Sequence, residues 1–292
     1  MIKWFQYALK LKKNLNHYYS RFDTSLNYGS FKKKNWNDQL QISFKANQNY
    51  LTKKKFFKKF YSNDLKLYVD YIKNNISKKK KILSIGSGRG VAELKLINHG
   101  YNIILSDLNQ PAGLNKLKKI FKKLRFLKLN ILKDKHSKKY DVIVCFSLLY
   151  AFDKKTLDKF FIKCKKILKK DGEILISPGG SNLNLLKVVY EKFYLPIELY
   201  LFYLLSFLKN KKFEIIKYQH GYIYSDKDII NQASKHKFIQ KLKIHRGDFI
   251  SELSRSLIIK KLLVKKIIPL PIITMIGKKM PFVNIFHFKT KY

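Results

Sequence analysis

Three glycines at alternate positions, Gly86, Gly88 and Gly90, follow the short apolar run of Ile82, Leu83 and Ile85. Glycine takes positive φ without strain and lets a ligand lie against bare backbone. Val91, Ala92, Leu94 and Ile97 continue at roughly helical spacing, and His99-Gly100 is a stop signal. The stretch reads as strand, glycine-rich turn, helix. The helix N-terminus behind the turn offers free amides to an anion. A second apolar run, Tyr101 to Asp107, ends in a carboxylate. Asp107 stands about 20 residues beyond the turn, the offset of a ribose-binding acid. A carboxylate can accept hydrogen bonds from both ribose hydroxyls at once. Either feature alone has a plain structural use, as a tight turn or a helix cap. Together they point to a nucleotide-like cofactor. A dinucleotide fingerprint requires Gly or Ala three residues after its second glycine, and that position is Val91.

The elements around these residues alternate. Leu65, Val69 and Ile72 predict a helix ahead of the first strand. After Asp107 comes a helix with Leu114, Leu117, Phe121 and Leu124 on one face, then a strand from Arg125 to Leu129 ending at Asn130. Tyr140 to Phe146 is the fourth strand. A helix carrying Leu157, Phe160, Phe161, Cys164, Ile167 and Leu168 runs to Asp171-Gly172, and Glu173 to Ser177 is the fifth strand. This rhythm predicts a parallel sheet covered by helices. Beyond Pro178 it loosens. Residues 183–208 form aromatic-rich helices broken around Pro196, and residues 213–220 suit a short strand. Ser225-x-x-Asp228 is a helix-capping signature. Phe238 to His245 and Phe282 to Phe288 read as strands with a helix over 249–263 between them.

The chain has 292 residues, 46% of them hydrophobic and 15% aromatic, enough to bury a full core. That composition excludes a disordered chain. With 62 Lys and Arg against 19 Asp and Glu, the formal net charge is +43. Such charge suits nucleic acid or an anionic membrane. Lysines are nevertheless spread along the whole chain, as in a lysine-biased proteome. Cys145 and Cys164 fall on apolar faces and read as buried thiols, and no Cys/His cluster has metal spacing. The N-terminus lacks the pattern of a signal peptide, since lysines soon interrupt its apolar residues. The longest apolar run, Leu199 to Leu208, is far short of the ~20 residues that span a bilayer. These features predict a cytoplasmic protein. Residues 1–15, 193–208 and 256–276 mix apolar residues with lysines and suit peripheral contact with the inner membrane face. They also suit docking on the core.

The spacing Gly86-x-Gly88-x-Gly90, with Asp107 downstream and the strand–helix rhythm over about residues 60–180, resembles the class I S-adenosylmethionine-dependent methyltransferases. The resemblance implies an α/β fold, a three-layer Rossmann-like sandwich. Its seven-stranded sheet is mostly parallel, with the last strand, from Phe282, antiparallel. It implies an N-terminal helical and loop extension over 1–60, a methyltransferase domain over 61–292, and a helical insertion about 183–212 after strand five. S-adenosylmethionine is the implied cofactor, held by Ser84, Gly86, Ser87, Gly88, Gly90, Asp107, Leu108, Asn130, Ile131 and Ser147. Two positions depart from the family. Ser84 stands where Asp or Glu usually steers the methionine ammonium, and Asn130 where Asp often touches the adenine amino group. Both can still accept a hydrogen bond.

The implied reaction is methyl transfer to a small-molecule, sugar or lipid-linked acceptor at oxygen. An oxygen acceptor needs help losing its proton. His220, Tyr150 and His245 are candidate bases, with His220 first because it precedes Gly221 at the end of a strand. Base-methylating enzymes often carry Asn-Pro-Pro-Tyr after strand four, and here Cys145-Phe-Ser-Leu-Leu149 stands there. An RNA-directed methyltransferase, or a non-catalytic basic protein binding RNA or membrane on the same core, is the alternative. The oligomeric state has no signature in the sequence.

Overall fold

The computed structural model describes residues 19–21, 52–61, 63–111, 113–146, 148–149, 152–178, 219–221, 226–246 and 283–291, with single positions at 189, 193–194, 197, 201 and 224. In chain order the strands are β1 (Tyr19–Arg21), β2 (Lys81–Ile85), β3 (Asn102–Asp107), β4 (Arg125–Lys128), β5 (Tyr140–Phe146), β6 (Leu168–Ser177), β7 (Gln219–Gly221), β8 (Phe238–Arg246) and β9 (Val283–Thr290). The helices are α1 (Lys53–Phe60), α2 (Asn63–Asn75), α3 (Val91–Asn98), α4 (Leu114–Ile120), α5 (Lys154–Ile167) and α6 (Asp226–Lys235).

Seven strands form one sheet in the order β4-β3-β2-β5-β6-β9-β8. β4, β3, β2, β5 and β6 pair in parallel. β9 runs antiparallel to both β6 and β8, so it is the one reversed strand. The fold is therefore the expected Rossmann-like sheet with an antiparallel last strand. β1 and β7 form a separate antiparallel ribbon, pairing Ser20 with His220.

Alternation along each strand assigns the two faces. Ile82, Val142, Val144, Leu175 and Ile285 bury against α1 to α4, through Phe56, Val69, Ile72, Leu94 and Leu114. Leu83, Ile143, Cys145, Ile174, Ile176 and Phe286 bury against α5 and α6, through Phe160, Phe161, Cys164 and Ile229. Continuous apolar runs are what a sheet covered on both faces requires, and three layers result. Phe56, within the stretch read as an extension, packs into the first of these cores. Both cysteines are free and buried, and burial pushes their thiols up.

Three elements differ from the sequence reading: residues 19–21 of the expected helical and loop extension form a strand, α4 stops at Ile120, short of Phe121 and Leu124, and the α5–β6 boundary moves. α5 ends at Ile167 and β6 begins at Leu168, ahead of Asp171-Gly172. Asp171 takes φ 61°, which Asp tolerates better than most residues. The pairing register shifts there, so Tyr140 faces Leu168 while Val142 faces Glu173. A chain reversal read from Asp-Gly is thus a bulge inside a longer strand. The stretches 1–15, 202–208 and 256–276, the helix expected over 249–263, Ser225 and Phe282 lie outside the described residues. No helix among the described residues is long and apolar enough to cross a membrane.

Candidate active site

The loop after β2 is built on three left-handed glycines, with φ of 66° at Gly86, 52° at Gly88 and 64° at Gly90. Their surroundings differ. A Cβ on Gly90 would lie 2.2 Å from Leu105 Cδ2, and one on Gly86 would lie 2.6 Å from Leu148 Cδ2. These two glycines let the loop close onto its neighbours. Among the described residues, a Cβ on Gly88 would meet nothing within 4 Å. Gly88 therefore turns a bare stretch of backbone toward open space.

Hydrogen bonds tie the loop to β3 and α3. The Ser87 amide donates to the Ser106 carbonyl at 3.0 Å, Gly90 to Ser87 at 2.7 Å, and Leu94 to Gly90 at 2.7 Å. The Gly88 amide donates to Asp107 Oδ2 at 2.8 Å, and the Leu108 amide to Asp107 Oδ1 at 2.7 Å. An ionised carboxylate has about four lone-pair sites, so each oxygen of Asp107 retains acceptor capacity. Burial pushes the Asp107 carboxyl up, and the amides of Gly88, Leu108 and Asn109 oppose that push. Ser87 Oγ is buried with no hydrogen-bond partner among the described residues.

A second carboxylate joins the loop from the helix. Glu93, in the first turn of α3, is only 6% exposed, and its Oε1 accepts from Ser84 Oγ at 2.6 Å. Ser84 is itself buried, and its carbonyl accepts from Ser106 Oγ at 2.7 Å. Burial pushes the Glu93 carboxyl up. The Ser84 hydroxyl and Glu93's own amide oppose this, and the charge of Asp107 adds to it. The sequence reading did not single out Glu93. Its signal was an acid inside the run of Val91, Ala92, Leu94, Leu96 and Ile97, all of them buried. It was also the third helical residue after Gly90, where an acid can reach back.

The remaining predicted residues are spread around this centre. Leu108 is 53% exposed beside Asp107, and Ile131 is buried. Asn130 Oδ1 accepts from the Leu132 amide at 3.1 Å, while the Asn130 amide donates to Asp134 Oδ2 at 2.7 Å. Ser147 and Tyr150 lie outside the described residues. The backbone of His220 is in the β1–β7 ribbon, and that of His245 pairs with Asn284 in the main sheet. The side chains of both histidines lie outside the described residues. A group absent from the sequence reading lies at the ends of β5 and β6. Tyr68 from α2 stacks on Phe146, with ring centroids 4.1 Å apart, and its hydroxyl shares a 2.9 Å hydrogen bond with Ser177 Oγ. Strand ends of open α/β sheets are where ligands bind. Among the described residues no cluster of His, Cys, Asp or Glu could hold a metal ion.

The site therefore joins an open glycine backbone, two carboxylates and a half-exposed leucine. That donor set suits a ligand with hydroxyls, an apolar ring and positive charge. Comparison with known proteins agrees with the geometry. The model of a family described as a methyltransferase domain matches residues 57–238. No curated protein matches the chain in sequence. Among solved structures, the chain is similar to 1,6-didemethyltoxoflavin-N1-methyltransferase of Burkholderia thailandensis, solved with 1,6-didemethyltoxoflavin and S-adenosylhomocysteine. The TM-score is 0.52 at 10% identity, covering 91% of this chain and 94% of that one. Magnesium protoporphyrin IX methyltransferase of Synechocystis PCC 6803, solved with S-adenosylhomocysteine, has a TM-score of 0.53 at 9% identity, covering 89% and 100%. An S-adenosylmethionine-dependent methyltransferase of Methanosarcina mazei has a TM-score of 0.50 at 15% identity, covering 75% and 96%. At such identities the structural likeness speaks for the fold.

Proposed function

The chain belongs to the methyltransferase-domain family, and from that premise we propose that it moves a methyl group from S-adenosylmethionine to a small-molecule, sugar or lipid-linked acceptor, at oxygen. The observation that carries the cofactor reading is the contrast within the glycine loop. Gly86 and Gly90 are packed, while Gly88 faces open space beside the Asp107 carboxylate. S-adenosylmethionine, when bound, supplies a methyl group made electrophilic by its sulfonium, so the protein's work is alignment and exclusion of water. Gly88 leaves room for the ligand. Asp107 keeps lone pairs for two ribose hydroxyls. Leu108 and Ile131 offer apolar surface to a base, and Asn130 offers its amide group. Ser87 Oγ is a buried hydroxyl with no partner among the described residues. Ser147 completes the proposed cofactor set.

Two of the similar structures bear names of enzymes acting on small heteroaromatic or porphyrin compounds, which favours a small acceptor here. The stacked Tyr68 and Phe146 offer it an aromatic wall. His220 or Tyr150 takes the acceptor's proton in this reading. Lysine-flanked apolar stretches at 1–15, 193–208 and 256–276 would hold the protein against an anionic membrane carrying a lipid-linked acceptor.

Calorimetry with S-adenosylmethionine and S-adenosylhomocysteine, followed by an acceptor screen with and without anionic vesicles, tests this reading. Saturable binding of both compounds is the expected result. No binding of either would overturn the cofactor assignment. Turnover only of soluble acceptors, with no salt-sensitive vesicle binding, would remove the membrane element.

A further inference from the structure

We propose that Glu93, and not Ser84, carries the negative charge that meets the cationic amino-acid end of the cofactor. The inference rests on the cofactor reading above and adds to it a residue from another element. Glu93 reaches from the first turn of α3 across to β2, where Ser84 Oγ donates to its Oε1 at 2.6 Å. Its other oxygen, Oε2, lies 3.9 Å from where a Cβ on Gly90 would stand. The carboxylate thus lies against the floor of the glycine loop.

This placement is costly without a cation. A buried ion stripped of water loses several kcal/mol unless it is paired. The chain holds 62 lysines and arginines, yet among the described residues none lies within 4.0 Å of Glu93. Other buried or half-buried acids are served. Glu173 has Lys80 at 2.7 Å and Lys241 at 3.1 Å, and Asp226 has Lys243 at 2.6 Å. The nearby lysines point elsewhere. Lys95, on the same helix, lies over Phe57 and Tyr61, at 4.9 and 5.4 Å from the ring centroids. Lys53 of α1 lies over Phe121 and bonds Asn98. The titratable group that faces Glu93 from β3 is Asp107, a like charge. Arg89 in the loop stays charged at any working pH. The Ser84 hydroxyl and the N-terminal end of α3 support a negative charge without neutralising it. A primary ammonium on the ligand would. The carboxylate then takes up its partner only when the ligand carries an amino-acid end.

Two ligands separate this role from general binding. S-adenosylhomocysteine has the ammonium, and 5′-methylthioadenosine shares the nucleoside but lacks the amino-acid end. Both should use Asp107 equally. Calorimetry on the full chain at pH 8 should show Glu93→Gln binding S-adenosylhomocysteine about tenfold or more weakly, with 5′-methylthioadenosine unchanged. Glutamine keeps a hydrogen-bonding oxygen for Ser84. In the wild type, affinity for S-adenosylhomocysteine should fall relative to 5′-methylthioadenosine as the pH is lowered from 8 toward the acid limit of folding, because protonated Glu93 offers no charge. Unchanged binding of S-adenosylhomocysteine by Glu93→Gln, or an equal loss for both ligands, overturns the assignment. Should the variant not fold, a wild-type affinity ratio that stays constant from pH 8 down to the acid limit of folding overturns it equally. Wild-type protein that binds neither ligand sinks the cofactor reading itself.

Discussion

The two ends of the central strands treat their carboxylates in opposite ways. At the N-terminal end, Glu173 of β6 is buried, yet His287, Lys80 and Lys241 outweigh burial and hold its carboxyl well below the usual range. His287 Nε2 lies 3.6 Å from Glu173, and its Nδ1 shares a 2.9 Å hydrogen bond with the Tyr71 hydroxyl, which burial and then the charge of Glu173 push up to about 12. Asp141 beside it is also driven down, because the Lys81 amide and Lys169 outweigh its burial. At the C-terminal end, Glu93 and Asp107 are both driven up and have only uncharged hydrogen-bond donors. The same side-chain type meets cations at one end and, among the described residues, none at the other, as the proposed cofactor site requires. A lysine-rich chain could have paired all four. The two without a cation among the described residues lie at the end proposed for the cofactor, in keeping with the tendency of perturbed acids to cluster at functional sites.

Removing acids from each end should separate the two roles. Glu173→Ala strips the buried anion from Lys80, Lys241 and His287, and should cost about 3 kcal/mol of stability in urea unfolding. Its S-adenosylhomocysteine affinity, measured on folded protein, should stay at the wild-type value. A stable Glu173→Ala protein would break the comparison. Asp107→Ala should do the reverse. It removes charge-assisted hydrogen bonds and should weaken S-adenosylhomocysteine by about 1.5–3 kcal/mol while leaving unfolding stability at pH 7 unchanged or raised. Wild-type affinity in calorimetry would remove Asp107 from the ribose. The smallest effect lies in the pH profile of thermal stability without ligand. Glu173 has a folded pKa below its unfolded value. Its contribution is present above about pH 4.3 and is lost as pH falls toward the folded pKa. Glu93 and Asp107 have folded pKa values above their unfolded ones. Their contribution is present below about pH 4 and is lost as pH rises through the folded values. Glu173→Gln should therefore flatten the acid limb of the melting profile, and Glu93→Gln the limb toward neutral pH. Identical profiles for the two variants would contradict the contrast.

Much of this was legible in the chain. The apolar runs at 82–85, 101–106 and 140–146 predicted parallel strands, because a doubly covered sheet leaves no face for polar residues. The reversed last strand, expected from Phe282, starts at Val283 among the described residues. Gly86-x-Gly88-x-Gly90 announced the loop, since only glycine takes three left-handed positions so close together without strain. Asp107 was legible because its distance from the loop is set by one helix and one strand. Glu93 left only the signal of an acid inside an apolar helical run, and that pattern does not say what its carboxylate meets. His220 was read as a strand end, but it is the middle residue of β7, which pairs with residues 19–21 outside the main sheet.

The sequence by itself determined the order along the chain of the main-sheet strands, the glycine turn and the acid that follows it. These depend on side-chain periodicity and backbone preference over a few residues. Only the tertiary structure decided that Glu93 and Ser84 share a hydrogen bond, that Gly88 alone among the three glycines faces open space, and that Tyr71 meets His287 from 216 residues away. A carboxylate's role is set by which cations can reach it, and that is a property of packing.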